Sequence, residues 1–379
     1  MKRTSRLFWV LIVLIVIGAV FAMDKGIRYL PTYVRSTYIS PDLVYNHPLY
    51  GYQSKPNGHG WYERDEFSNY IVLNGLGRHD DELSAKEPDT KRIIALGGSF
   101  TAGWEVSTDE TWPSLLESSL GQGWDVVNMA HQAKKFNYVA RILDDAFFED
   151  LQPDYLIIGF AYGRLSPDVD YRPGEMSMQR VGVYRGFVYL YGPGGDQDVK
   201  GAIDILSTMS YFPVSIYDWA PWARRSNIVN LMVQAQEKRF LSDHPEYHEL
   251  KLDGNNIQAF WWGQAHKEAS VANTIAHIDR IRAVARQRGI PVMYVFIPSD
   301  TCYTNDVSVE RLFPIYFKKG DLVADLCPAF RQVYRKTGQR LHWVHDGHPN
   351  ALGQKVAAIS IYQLLRELRE SSVPSRRRR

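Results

Sequence analysis

Residues 91–117 read KRIIALGGSFTAGWEVSTDETWPSLLE. The apolar run at 93–96 has no 3.6-residue periodicity, which is typical of a buried strand in a parallel sheet. Gly97 and Gly98 follow this run, and glycine adopts backbone angles that are closed to other residues, so the chain can turn sharply there. Such a turn would hold Ser99 above the carboxyl end of the sheet, where open α/β folds bind their ligands. Ser99 is therefore a candidate nucleophile.

A second informative stretch is residues 343–353, which read WVHDGHPNALG. It places Asp346 and His348 two residues apart, directly before a predicted helix. A serine hydroxyl is a weak nucleophile until a base takes its proton, and a carboxylate must hold that base in the right tautomer. His348 suits the role of the base and Asp346 the role of the carboxylate. His342 and His345 lie nearby but lack the Asp-x-His-x-Asn context, so we expect them to be packed or surface histidines.

Together the two stretches resemble the SGNH, or GDSL, family of hydrolases. The first block of that family, Gly-Asp-Ser with Thr or Leu and Gly close behind, is similar to GGSFTAG at 97–103. Its last block is similar to the run from Asp346 through His348 and Asn350 to Gly353. The resemblance covers roughly residues 45–165 and 270–365, and it implies a Ser-His-Asp triad on a flavodoxin-like sheet.

Two shorter segments, DETWPSLL at 109–116 and NGLG at 74–77, look like the extracytoplasmic, polysaccharide-associated members of the family. The resemblance therefore implies that the substrate is an acyl ester. An acetylated glycan is expected, either as the ester that is hydrolysed or as the product of acyl transfer to a glycan.

The positions that correspond to the oxyanion hole of the family depart from its pattern. The family uses the serine amide, a glycine amide after the second strand and an asparagine side chain after the third. Here the second donor corresponds to Ala133, which keeps a backbone amide, and the third to Gly163, which has no side-chain donor. Tyr162 and Arg164 are candidate replacements, and loss of one donor typically lowers the rate by a factor of about 10² to 10³. Gly98 replaces the aspartate of the family, which is not a member of the triad.

Composition narrows the function class. The 379 residues are 45% hydrophobic and carry a net charge of +2, with basic and acidic residues interspersed, so nucleic acid is not an expected partner. The two cysteines lack the paired spacing of a zinc site. His-Glu-x-x-His, Gly-x-Gly-x-x-Gly and phosphate-loop motifs do not occur in the sequence, so we expect neither a metal nor a nucleotide cofactor.

Residues 7–23 form an uncharged apolar run that would span about 26 Å as a helix, near the lower limit for crossing a bilayer. Basic residues in the preceding segment 1–6 favour a cytoplasmic N-terminus and an exported remainder. The run exceeds the usual core of a signal peptide, which favours an uncleaved anchor, although cleavage after 20–22 is the alternative. Both alternatives place the main domain in the periplasm or outside the cell.

The order of the predicted elements indicates the fold class: α/β, with a doubly wound parallel five-stranded sheet flanked by helices. Strand, helix and strand alternate with the spacing of right-handed crossovers. Strands are predicted at 93–96, 125–128, 154–160, 291–297 and 321–326, and helices at 111–120, 138–150, 265–289 and 350–369. The hydrolase-like domain is expected at 91–370, after a stalk and N-terminal strands at 24–90 that include a hairpin of 50–61 with 70–74. A basic tail follows at 371–379.

Residues 166–262 read as an insertion into this domain, with a hairpin at 181–191 and a helix at 224–241. The insertion is rich in aromatic residues, and two interpretations remain open: a lid or glycan groove over the site, or a satellite hydrophobic core. Cys302 and Cys327 are a possible disulfide that the sequence cannot decide.

These observations lead to one functional hypothesis and one alternative. The hypothesis is a membrane-anchored extracytoplasmic esterase or O-acyltransferase, which as a transferase would work with a membrane acyltransferase partner. The alternative is a glycan-binding or scaffold protein that keeps the fold but has lost its oxyanion hole. A lipase is a third candidate, but no long apolar lid helix is evident.

Overall fold

The computed structural model describes residues 2–27, 29, 38–47, 51–132, 136–145, 147–161, 182–184, 187–189, 226–232, 235, 264–304 and 313–372. The chain divides into two units, one formed by Met1–Tyr38 with Gly174–Gly254 and the other by Ile39–Pro173 with Asn255–Arg379. All candidate catalytic residues belong to the second unit.

The elements are, in chain order, α1 (Lys2–Ile27), β1 (Tyr38–Ile39), β2 (Val44–His47), β3 (Gly51–Ser54), β4 (His59–Glu63), β5 (Ser68–Val72), β6 (Lys91–Gly97), α2 (Ser99–Ala102), α3 (Trp112–Leu120), β7 (Trp124–Asn128), α4 (Phe136–Asp144), α5 (Phe147–Asp150), β8 (Tyr155–Phe160), β9 (Gly182–Tyr184), β10 (Phe187–Tyr189), α6 (Gln264–Gln287), β11 (Val292–Phe296), α7 (Thr301–Thr304), α8 (Phe313–Tyr316), β12 (Leu322–Asp325), α9 (Cys327–Thr337) and α10 (Ala351–Ser372).

The centre of the second unit is a five-stranded sheet in the order β12-β11-β8-β6-β7, and all four neighbouring pairs are parallel. The predicted doubly wound α/β fold is confirmed, because this order is the flavodoxin-like 2-1-3-4-5 order read from the other edge. The strand order reverses between β6 and β8, which makes the carboxyl end of β6 the topological switch point. Ser99 is separated from the end of β6 by Gly98 alone and so lies where this class of fold places its ligands.

Helices cover both faces of the sheet, as a parallel sheet requires. On one face α4 and α6 pack their apolar residues, including Val139 and Ile281, against Ile94 and Ile158 of the strands. On the other face α3, α9 and α10 pack against Ile93 and its neighbours. The disulfide that the sequence left undecided is present: Cys302 and Cys327 are bonded, with their Cα atoms 5.9 Å apart, and join α7 to α9.

Two predicted elements differ in detail. The helix expected at 138–150 is two helices, because the Asp145 side chain accepts the Phe147 amide at 3.2 Å and starts a new helix there. The hairpin expected between 50–61 and 70–74 is two hairpins: β3 pairs with β2, and only β4 pairs with β5. A turn with Asn57 at φ 56° separates β3 from β4. The helix α9 was not predicted.

The N-terminal unit contains α1, in which the segment Phe8–Ile27 is 20 residues long with a mean hydropathy of 2.4, enough in length and composition to cross a membrane. At the end of this helix Asp24 accepts a hydrogen bond from the Ser226 hydroxyl at 2.7 Å and one from the Ile228 amide at 3.0 Å. The hairpin expected at 181–191 is present as β9 and β10. Of the helix expected at 224–241, residues 227–232 and 235 are helical, Ser226 precedes the helix, and the other residues lie outside the part of the chain that the structure describes.

Candidate active site

The turn that carries Ser99 depends on Gly97. Its φ of 148° is open mainly to glycine, and a Cβ there would lie 2.4 Å from the carbonyl oxygen of Gly159 on β8. Gly98 instead has φ −94° and ψ −156°, an extended conformation that any residue can adopt. The close approach of β6 to β8 therefore requires the first glycine, and it directs Ser99 away from the strand into the first turn of α2. The Ser99 residue is 3% exposed.

The loop between α9 and α10 carries Asp346 and His348. Its shape is set by backbone hydrogen bonds, from the Trp343 amide to the His348 carbonyl and from the Gly347 amide to the Trp343 carbonyl, both 2.9 Å. The other two residues of the motif, Asn350 and Gly353, have structural roles. Asn350 caps α10 by accepting the Gly353 amide at 3.1 Å, and a Cβ on Gly353 would lie 2.1 Å from the Leu341 carbonyl oxygen.

The structure brings Ser99, His348 and Asp346 together, although 249 positions separate the serine from the histidine. Nε2 of His348 lies 2.8 Å from the Ser99 hydroxyl, and Nδ1 lies 2.5 Å from Oδ1 of Asp346. Because an ionised carboxylate only accepts, Nδ1 donates to Asp346 and Nε2 is left to accept from the hydroxyl. Phe100 packs its ring edge-on against the imidazole, with the ring centroids 5.0 Å apart. This is the order of contacts that activates a serine.

Two residues from the β4–β5 hairpin also reach this loop. Arg64 contacts Oδ2 of Asp346 at 2.8 Å. The Glu66 carboxylate accepts hydrogen bonds from three successive backbone amides, those of Val344, His345 and Asp346, at 2.6, 2.7 and 3.1 Å. The hairpin therefore supports the segment that carries the candidate base and its carboxylate.

The electrostatics of Asp346 follow from these neighbours. Its side chain is fully buried, and burial alone opposes ionisation. The hydrogen bond from His348 and the charges of His348 and Arg64 outweigh burial, so the pKa of Asp346 lies below its ordinary value. Asp346 is thus held as a carboxylate, which is the form that orients an imidazole.

A second carboxyl group, Glu105, lies at the same place. Its side chain is fully buried, and Oε1 is 3.6 Å from Nδ1 of His348. Burial raises the pKa of Glu105 to about 7. Sequence reasoning missed Glu105, Arg64 and Glu66. The one signal for Glu105 was an acidic residue in the apolar stretch that follows the nucleophile.

Glu105, Asp346 and His348 also have ligand atoms within 4.8 Å of one another, a separation that a cation could bridge. However, Nδ1 of His348 already donates to Asp346, and Arg64 already balances the Asp346 charge. These contacts already engage the ligand atoms of His348 and Asp346, and we assign no metal to them.

The other two histidines of the region have different environments. Nδ1 of His342 lies 2.9 Å from the Tyr303 hydroxyl and Nε2 lies 2.8 Å from the Pro298 carbonyl oxygen. Burial lowers the pKa of His342 to about 4, so this side chain is a neutral, fully bonded part of the core. His345 has an exposed side chain and contributes its amide to Glu66.

The candidate oxyanion residues Ala133, Tyr162, Gly163 and Arg164 lie outside the described residues. The strands that lead to them, β7 and β8, end beside β6 at the same edge of the sheet as Ser99.

Three of the solved structures that resemble this chain are a lipolytic protein, a carbohydrate acetylesterase family member and an esterase. A putative lipolytic protein of the G-D-S-L family from Desulfitobacterium hafniense is 13% identical, with 73% of this chain and 99% of that chain covered and a TM-score of 0.33. A carbohydrate acetylesterase family member from Sinorhizobium meliloti is 10% identical, with 74% and 99% covered and a TM-score of 0.30. A psychrotrophic esterase from Pseudoalteromonas is 12% identical, with 74% and 99% covered and a TM-score of 0.33.

No protein-family model matches the chain, and no curated protein matches it. One of these solved structures is described as a protein of the G-D-S-L family, the family that the sequence motifs resemble. Similarities this distant assign neither a substrate nor a reaction, so the chemistry of the site rests on its own residues.

Proposed function

We propose that this protein is a serine ester hydrolase or O-acyltransferase in which Ser99 is the nucleophile, His348 the general base and Asp346 the residue that orients the base. The observation that carries the proposal is the pair of contacts at His348, 2.8 Å from Nε2 to the Ser99 hydroxyl and 2.5 Å from Nδ1 to Asp346. A serine, a histidine and a buried carboxylate in this order form the arrangement that attacks acyl carbonyls.

In the proposed reaction the Ser99 oxygen attacks the acyl carbonyl while Nε2 of His348 takes the hydroxyl proton. His348 then gives that proton to the leaving alcohol, and the acyl group remains on Ser99 as an ester. In the second half of the reaction water, or the hydroxyl of an acceptor, attacks this ester while His348 takes its proton. The bond from the acyl carbon to the Ser99 oxygen then breaks, and His348 returns the proton to that oxygen. Asp346 keeps its charge throughout and stabilises the imidazolium that forms at each step.

We further propose that the protein is anchored in the membrane by α1, with its N-terminus in the cytoplasm and the catalytic domain in the periplasm or outside the cell. The length and hydropathy of Phe8–Ile27 support the anchor, and the basic residues before it support the orientation. A signal sequence passes the same test of length and composition, and it would place the domain on the same side.

The proposed substrate is an acyl ester of a glycan, with acetyl as the expected group. This part rests on the sequence resemblance and on the proposed location. In the transferase form of the proposal a membrane acyltransferase partner would supply the acyl group.

The test is hydrolysis of p-nitrophenyl acetate by the full-length chain in detergent, beside Ser99→Ala. We expect the substitution to lower kcat by at least about a thousandfold, because a missing nucleophile removes the covalent step. Ser119→Ala is the matched control, since this exposed serine only bonds the Leu115 carbonyl at 2.7 Å on α3, and it should keep the full rate. Equal rates for the wild type and Ser99→Ala would refute the proposal.

Hydrolase and transferase are separated by adding a sugar acceptor to the same assay. A transferase releases p-nitrophenol faster when the acceptor is present and forms an acetylated sugar. A hydrolase releases acetate at a rate that the acceptor does not change.

A further inference from the structure

Glu105 is a buried ionisable group beside His348 that the proposed mechanism leaves without a role. It follows the short helix α2, and its residue is 1% exposed. Neither of its carboxyl oxygens has a hydrogen-bond partner on another described residue. A buried carboxyl group without partners is costly to ionise, so its position requires a reason.

The charged and titratable groups that face Glu105 are His348, Asp346 and Arg64. Arg64 lies 2.8 Å from Asp346, and these two charges balance each other. In the resting site, with His348 neutral, the positive charge that favours ionisation of Glu105 is that of Arg64, which is shared with Asp346. A second positive charge appears when His348 becomes an imidazolium, and Oε1 of Glu105 is 3.6 Å from its Nδ1.

We propose that Glu105 is a positioning residue of this site, a second carboxylate that stabilises the His348 imidazolium during acyl transfer from the side of Nδ1. The inference rests on the proposed function. Glu105 gives and takes no proton of the reaction: the proton of the Ser99 hydroxyl moves to Nε2 and from there to the leaving alcohol. Glu105 acts through its charge alone, in addition to Asp346, whose own charge is shared with Arg64.

This role predicts a distinctive pH dependence. Because burial raises the pKa of Glu105 to about 7, the group is largely protonated below that pH and ionises as the pH rises through it. The rate should therefore continue to rise through neutral pH. An ionised Glu105 also stabilises the protonated imidazole of His348 in the free enzyme. When Glu105 is replaced by a neutral residue, His348 should therefore lose its proton at a lower pH.

The experiment is the second-order rate of labelling of Ser99 by a fluorophosphonate, measured with the full-length chain in detergent from pH 5 to pH 9. In Glu105→Gln, which keeps the size of the side chain, we expect the plateau rate to fall about tenfold and the midpoint of the acid limb to move down by roughly one pH unit. A purely structural role would lower the rate without moving the midpoint, and that result would overturn the inference.

Two further variants keep the outcomes distinct. Labelling that persists in Ser99→Ala overturns the proposed function and the inference with it, whereas labelling that disappears there, with a wild-type profile in Glu105→Gln, overturns the inference alone. If Glu105→Gln does not fold, Glu105→Asp carries the test. It should keep a rise in rate near neutral pH, and a profile without that rise would refute the role of Glu105.

Discussion

At the scale of single residues, the turn before Ser99 places different backbone requirements on its two adjacent glycines. Gly97 has a φ of 148°, and a Cβ on it would also lie 2.7 Å from the Thr101 hydroxyl. Gly98 has an extended backbone that tolerates any side chain. The aspartate that the resembled family carries at the second position is therefore compatible with this backbone.

Gly97→Ala should displace Ser99 from His348, because the new methyl group can fit only if β6 moves away from β8. A displacement of about 1 Å at a reacting group can lower the rate about a hundredfold, so we expect kcat for p-nitrophenyl acetate to fall by about that factor. Gly98→Ala is the control and should keep the rate within about threefold. Comparable losses of kcat in Gly97→Ala and Gly98→Ala would contradict the conclusion that only the first position requires glycine.

At the scale of elements, the β4–β5 hairpin is part of the site although it lies outside the parallel sheet. Tyr62 and Trp104 pack with ring centroids 6.1 Å apart, and Nδ2 of the Asn69 side chain donates to the Trp104 carbonyl at 3.0 Å. Phe67 packs against Trp343 with ring centroids 5.6 Å apart. The hairpin is thus fixed both to the segment that follows Ser99 and to the loop that carries Asp346 and His348.

Glu66→Ala tests whether this hairpin orients the loop that carries Asp346 and His348. Three amides, those of Val344, His345 and Asp346, would lose their acceptor, and we expect kcat to fall ten- to a hundredfold as the loop loses its fixed position. Glu82→Ala is the matched control, since this carboxylate accepts the Gly75 amide at 2.9 Å, and it should leave kcat unchanged. A wild-type kcat in Glu66→Ala would show that the loop keeps its shape without the hairpin.

Sequence reasoning reached the elements and residues whose signals are local. Short apolar runs between helices predict the buried strands, and Asp346 and His348 lie two residues apart in one motif. Glu66 could not be found in this way, because it meets Val344 across 278 positions and only the folded hairpin brings them together. The break at Asp145 was missed for another reason: the helical pattern of apolar residues continues across it, and a single side-chain cap decides the boundary.

At the scale of the whole molecule, buried carboxyl groups set how stability depends on pH. Asp80 is the clearest case, because burial raises its pKa to about 7 although it accepts the Asn128 amide at 2.7 Å. Ion-paired carboxyl groups act in the opposite direction: the pKa of Asp321 lies below its ordinary value, since its hydrogen bond and ion pair with Arg282 outweigh burial. Their contribution is lost as the pH falls.

Asp80 changes the free energy of unfolding with pH in the direction opposite to the ion-paired carboxyl groups. Its pKa is raised from 3.8 to about 7 by folding, so between these values the unfolded chain releases a proton that the folded chain keeps. The free energy of unfolding should fall as the pH rises through this window, by about 4 kcal/mol in total from this one group. Asp80→Asn cannot ionise and keeps an oxygen to accept the Asn128 amide, so this loss should be absent in the variant.

We expect the unfolding temperature of Asp80→Asn, relative to the wild type, to rise by several degrees between pH 4.5 and pH 7.5, measured by calorimetry on the full-length chain in detergent. Taking the difference between the two proteins cancels the contribution of the ion-paired carboxyl groups. Asp89→Asn, at an exposed position, should give no such change. Parallel pH profiles for Asp80→Asn and the wild type would mean that Asp80 ionises in the folded protein as easily as in the unfolded chain, and that its burial against Asn128 carries no electrostatic cost.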